Sequence, residues 1–236
     1  MIKHPMRTAL VATAAIFVLG TSSAQAASAA NTGITVQATG TVKVTPDAVR
    51  LNLTATTLGP SSQAALAATS TTAAGVRAAL TADGVAAKDV ATTRISVNPE
   101  YTYSQDKAPT INGYRASQSF NVVIRKATMA GKVIDDVVAA AGDNATIDSV
   151  TPFVLDPNKA EAKARISAVK KARAKAKAYA SLLYSRLGNV IYLTEQNSNY
   201  TPMPAPYGLG AKAEATQVDL GQQDVSVTIE VRWHLK

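Results

Sequence analysis

The sequence predicts an α+β fold on three observations. Apolar residues alternate with polar ones over several short runs, and three longer stretches carry apolar residues at helical spacing. Between Ala48 and Leu155 these patterns fall in the order strand, helix, strand, strand, helix, strand. That order is the split βαβ pattern of ferredoxin-like folds, extended here by an added long helix and C-terminal strands.

The first alternation runs through Ile34, Val36, Ala38, Val42 and Val44; after Pro46-Asp47 a second runs through Val49, Leu51, Leu53 and Ala55. These are two strands joined by a turn. Gly59-Pro60-Ser61 ends the second strand and offers Ser61 as a helix cap, after which Leu66, Ala73, Val76 and Leu80 recur at helical spacing as far as Gly84. A glycine there can take the left-handed conformation that closes a helix, with Val85 folding back onto the last turn. Val90, Ile95 and Val97, then Tyr114, Phe120, Val122 and Ile124, predict a hairpin. Its connection from Ser104 to Gly113 is too long for a tight turn, so its tip is expected to be exposed.

A helix is expected from about Thr128 to Ala141, with Met129, Val133, Val137 and Ala140 on one side. A strand holding Ile147, Val150, Phe153 and Leu155 follows. Asp156-Pro157-Asn158 opens the longest helix, which is expected to reach Arg186, and its inner face is assigned to Val169, Ala172, Ala176, Ala180, Leu183 and Leu187. Two strands complete the chain, one through Val190, Ile191 and Leu193, the other through Val218, Val225, Val227, Ile229, Val231 and Trp233. The segment between them, Gln196 to Thr216, is rich in Pro, Gly, Tyr and Asn.

The N-terminus reads as a secretory leader over residues 1–26. Lys3 and Arg7 precede an apolar run from Thr8 to Gly20, and small residues end in Ala24-Gln25-Ala26, a site for cleavage after Ala26. The run falls short of the ~20 residues that span a bilayer as a helix, so no transmembrane segment is expected in the mature chain. Residues 27–33 read as a flexible leader and 34–236 as one domain, with 48–156 the βαββαβ core and 157–236 the long helix plus two strands. Without cysteine the chain has no disulfide, no thiolate chemistry and no site for a lipoprotein anchor. Its 24 Lys and Arg stand against 16 Asp and Glu, a formal net charge of +8. Export turns that balance away from nucleic acid and toward anionic envelope surfaces, acidic glycans or plain solubility.

Catalytic chemistry finds little support. Past the leader the one histidine is His234, two residues from the end, and no G-x-S-x-G elbow occurs. Asp135 and Asp136 are adjacent on a helix and point apart. Gly208-Leu209-Gly210 lies in a Pro-rich stretch, and Gly131-Lys132 lacks the rest of a P-loop. No catalytic, cofactor-binding or metal-ligating residue is therefore assigned, no cofactor is expected, and the chain is expected not to be an enzyme. Two surface features stand out instead. Lys163, Lys170 and Lys177, seven apart, form a basic ridge on the long helix, continued by Lys159. Tyr200 and Tyr207, among Pro202, Pro204 and Pro206, read either as a mobile excursion or as an extended aromatic patch that a partner or neighbouring subunit touches.

Several short motifs resemble the SIMPL-domain family of exported bacterial proteins, which includes periplasmic immunogenic proteins and proteins linked to oxidative-stress defence. They are Pro46-Asp47-Ala48; Gly84-Val85 and Asp89-Val90; Ile95-Ser96-Val97-Asn98-Pro99-Glu100-Tyr101; Gly113-Tyr114-Arg115-Ala116-Ser117; and the alanine-rich helix ending at Leu187-Gly188. The resemblance implies an α+β domain in the periplasm or secreted, with no established catalytic residues to carry over. Sequence and resemblance together lead to the expectation of a non-enzymatic envelope protein acting through protein–protein contacts and self-association, in envelope or oxidative-stress protection. The alternative is a module that binds anionic glycans or lipid headgroups through the basic helix face.

Overall fold

The computed structural model describes residues 32–103, 108–196 and 216–236. The elements are β1 (Gly33–Val44), β2 (Ala48–Gly59), α1 (Ser62–Ala82), β3 (Val90–Thr102), β4 (Thr110–Ile124), α2 (Ala130–Ala141), β5 (Ala145–Phe153), α3 (Asn158–Leu182), β6 (Leu187–Gln196) and β7 (Gln223–Leu235). They build a mixed α/β structure with two antiparallel sheets, a large one ordered β3-β4-β2-β5 and a small one ordered β1-β7-β6.

Strict alternation gives the large sheet two unlike faces. Leu51 and Leu53 of β2 and Phe120 and Val122 of β4 turn inward, where α1 adds Val76 and Leu80 and α2 adds Val133 and Val137. The opposite face is a mesh of small polar groups. Asn121 Nδ2 donates to Asn52 Oδ1 at 2.7 Å, Asn52 Nδ2 to Ser149 Oγ at 2.8 Å, and Thr54 Oγ1 to Asp148 Oδ2 at 2.7 Å. One buried polar residue crosses the core side: the Thr69 hydroxyl bonds the carbonyls of Ala65 and Ala116 and the Thr57 hydroxyl, fastening α1 to β2 and β4. Each partner matters there, because an unpaired buried hydroxyl is costly.

Local signals fix the ends of α1. Ser61 Oγ accepts from Ala64 N at 3.2 Å, filling one of the orphan N–H positions of the first turn. At the other end Gly84 has φ +78° and Val85 N donates to Leu80 O at 2.9 Å, the closure expected from Gly84-Val85.

The small sheet is built around α3. Its buried residues are Ala160, Ala164, Ala168, Ala172, Ala176 and Ala180, an i, i+4 stripe of methyl groups against Val36 of β1 and Val227, Ile229, Val231 and Trp233 of β7. Small side chains let the helix approach closely, and Gly40 of β1 completes the fit: a Cβ there would lie 2.0 Å from the Ala164 carbonyl oxygen. Pro46-Asp47 joins the two halves. Asp47 Oδ1 accepts from Leu155 N at 2.8 Å, and its carbonyl accepts from Ala127 N at 3.0 Å, tying the turn to the ends of β5 and β4.

Several sequence expectations are corrected. The inner face of α3 does not include Val169 or Leu183, which are exposed, and Leu187 belongs to β6. The helix ends at Leu182, short of Arg186. On α2, Ala140 faces solvent while Ile134 and Ala141 are buried, a rotation of the expected face by about one position. Leu66 and Leu155 are likewise exposed, and Val218 precedes β7. The expected loop from Ser104 to Gly113 is shortened, since β4 already begins at Thr110. Pro46-Asp47 joins β1 to β2 as expected, and β1 then pairs with β7 in the other sheet.

Candidate interaction surface on the small sheet

Among the described residues β6 is an edge of the small sheet, hydrogen-bonded to β7 on one side only. Natural edge strands are usually blunted by charge, proline or irregularity, because a free row of N–H and C=O groups invites pairing. β1, the opposite edge, carries Thr35, Gln37, Thr39, Thr41 and Lys43 on its outward face, all exposed. The large sheet's edge strand β3 carries Arg94 and Pro99 and two register shifts. β6 has shifts near Val190, yet its middle reads Val190-Ile191-Tyr192-Leu193. Val190, Ile191 and Leu193 are 54, 44 and 51 % exposed.

Register places Val190 opposite Trp233 and Leu193 opposite Val231, so both point to the side of the sheet that α3 covers. The helix does not reach them. Its buried stripe meets β1 and β7, and from β6 only Leu187 packs against that core. Ile166 and Val169 on α3 are exposed too, as are Leu182 at its last position and Leu183 and Tyr184 just past it. A polar clasp ties helix to edge. Arg165 Nε lies 3.0 Å from both oxygens of Glu195, and its other nitrogen reaches Glu161 Oε2 at 3.0 Å. The Glu195 carboxylate, then Glu161, raise the Arg165 pKa above its ordinary value. On the far face of the strand Tyr192 donates its hydroxyl to Glu230 at 2.8 Å.

The lysines of the expected ridge lie on α3. Lys163, Lys170 and Lys177 are exposed, and among the described residues none makes an ion pair. Lys171, on the β1 side of the helix, instead donates to the Thr39 carbonyl at 3.0 Å. Tyr200 and Tyr207 lie outside the described residues, as do the leader and the hairpin tip at 104–107. Asp135 and Asp136 have separate partners: Asp135 accepts from Thr216, and Asp136 pairs with Lys132. Among the described residues no three His, Cys, Asp or Glu side chains cluster as metal ligands would, and no helix is long and apolar enough to cross a membrane. Sequence reasoning took β6 as a strand but gave no sign that it is an edge.

Comparison with known proteins settles the lineage. The SIMPL family model, described as a protein of unknown function (DUF541), matches residues 34–233. The chain belongs to the SIMPL family. It is similar to the 26 kDa periplasmic immunogenic protein of Brucella melitensis, with 28 % identity over 217 residues, covering 86 % of this chain and 84 % of that one. The Brucella abortus protein of the same name matches to the same extent. The uncharacterized protein YggE of Escherichia coli K12 is 30 % identical over 120 residues, which is 51 % of this chain and 48 % of YggE. In this SIMPL chain the motifs that carry the resemblance meet in space. Asn98 to Glu100 pair with Gly113 to Arg115 across β3 and β4, where Arg115 and Glu100 form an ion pair. Asp89 accepts two bonds from Arg125, at 2.7 and 2.8 Å.

Proposed function

We propose that this SIMPL protein is exported, is not an enzyme, and acts in the cell envelope through protein–protein contacts, including self-association through β6. The observation that carries the reading is a strand that is an edge among the described residues, with apolar side chains that α3 leaves bare. Exposed apolar area contiguous with unpaired backbone is the surface that strand addition buries. Export rests on the leader over residues 1–26, and the periplasm is favoured because the Brucella relatives are named periplasmic. A role in envelope or oxidative-stress protection follows from the family resemblance. The order β3-β4-β2-β5 with antiparallel neighbours supports reading residues 48–156 as a ferredoxin-like split βαβ unit, with 157–236 as the added helix and strands.

A second reading is favoured by one observation, the row of exposed lysines at 163, 170 and 177, which make no ion pair among the described residues. It makes this face a contact for anionic glycans or lipid headgroups. Light scattering with salt titration separates the two. Leu193→Lys is expected to shrink the assembly without changing envelope binding. Replacing Lys163, Lys170 and Lys177 by glutamine is expected to leave its size unchanged and to abolish any salt-sensitive binding to isolated envelopes. A wild-type protein that stays monomeric across the micromolar range refutes the first reading, and envelope binding indifferent to salt refutes the second.

A further inference from the structure

A cavity of about 440 Å³ opens where the end of α1, the turn after it, the end of β4 and the start of α2 converge. That volume lies within the range of small-molecule sites. Its floor is apolar: Ile124 and Val133 are buried, and Val85 and Met129 are half-buried. Its mouth is cationic, with Lys88, Arg125 and Lys126 all exposed.

Two carboxylates also line the walls, and each has a cation of its own. Asp89 takes both bonds from Arg125, which hold its pKa below the ordinary carboxylate value. Asp83, with a side chain 4 % exposed, pairs with Lys132, which Asp136 shares. Lys88 and Lys126 make no ion pair among the described residues, so the mouth has positive charge to spare. Deeper in, the charge reverses. Asp83 Oδ2 is buried and accepts no hydrogen bond among the described residues, so a second negative charge brought inward meets a carboxylate oxygen and finds no donor there.

We infer that this cavity binds a small monoanionic amphiphile, with its carboxylate between Lys88 and Lys126 and its short apolar body against Val85, Met129 and Val133. The charge order selects among ligands. A cation is repelled at the mouth, a dianion cannot send its second charge past Asp83, and an anion without an apolar body leaves the floor unused. Nothing in this inference depends on β6, and the size of the assembly is expected to be the same with and without ligand.

Calorimetric titration of the full chain with hexanoate, adipate, hexylammonium and acetate tests it. Hexanoate is expected to bind in the millimolar range and the other three to bind much more weakly. The variant Lys88→Gln/Lys126→Gln removes two exposed cations without touching the core, and is expected to weaken hexanoate binding about fivefold or more. The chain has four methionines, so methyl-labelled spectra locate the ligand: the Met129 signal, assigned through Met129→Leu, is expected to shift alone. Absence of hexanoate binding, equal binding of acetate or adipate, an unchanged affinity in the double variant, or an unmoved Met129 signal would each overturn the inference.

Discussion

Replacing Gly40 by alanine tests the seating of α3 on the small sheet. A methyl group at that position would lie 2.0 Å from the Ala164 carbonyl oxygen and 2.5 Å from the Ala168 amide nitrogen. Both are helix backbone, so no side chain can swing aside, and α3 must lift by about 1.4 Å or more to restore ordinary contact. Lifting loosens the stripe from Ala164 to Ala176 against Val36, Val227, Ile229 and Val231. Gly40 does not have positive φ, so alanine suits the strand backbone and regains roughly 0.5–1 kcal/mol of the flexibility that glycine loses on folding. Overpacking typically costs 1–3 kcal/mol, and a clash with rigid backbone belongs at or above the top of that range, so the net loss is about 2–3 kcal/mol. Urea unfolding at fixed protein concentration reads it directly, with an expected fall of roughly 1 M or more in the midpoint and little change in slope. Gly40→Ala within about 0.5 kcal/mol of wild type would refute the close approach of helix and strand.

Asp89→Asn is expected to flatten the acid limb of the stability profile. The Arg125 bonds, and secondarily the charge of Lys88, lower the folded pKa of Asp89. The unfolded chain therefore binds more protons here, and stability from this group is present above about pH 4 and lost as pH falls through the lower folded value. Urea midpoints measured from about pH 5 downward check it: the wild type should lose stability more steeply than the variant. Ser61→Ala removes the acceptor for Ala64 N and should cost about 1 kcal/mol, with Ser61→Gly costing less, by the same unfolding assay.

Legibility in the sequence followed the range of the signals. The boundaries of α1 were readable because Ser61, Gly84 and Val85 act on neighbours a few residues away. The lysine ridge was readable because seven-residue spacing keeps residues on one face of any helix. The inner face of α3 was not. Alanines occur all around that helix, with Ala162, Ala174 and Ala178 exposed, so the stripe at every fourth residue is hidden among others. Val169 and Leu183 look like the natural core residues, but the approach that Gly40 permits leaves room only for methyl groups. The role of β6 was unreadable for another reason: whether a strand is central or marginal depends on pairing with β7, some thirty residues further on. The cavity is likewise assembled from two stretches far apart in the chain, 83–89 and 123–133.

These features share one cause, the width of a helix. Strands in a sheet lie about 4.8 Å apart, and a helix with its side chains is about 10 Å across, so one helix shields about two strands. Alanine at the contact narrows the cover further by removing the long side chains that would reach sideways. α3 takes β1 and β7, and β6 is the strand left over. A wider inner face, with leucine at Ala164 or Ala168, could not close the gap, because Gly40 marks how little space separates helix from sheet. The exposure of Val190 and Leu193 is thus a consequence of how the small sheet is packed. None of the described elements covers them, and that is why Leu193→Lys should act on assembly while leaving the unfolding midpoint of the isolated chain nearly unchanged.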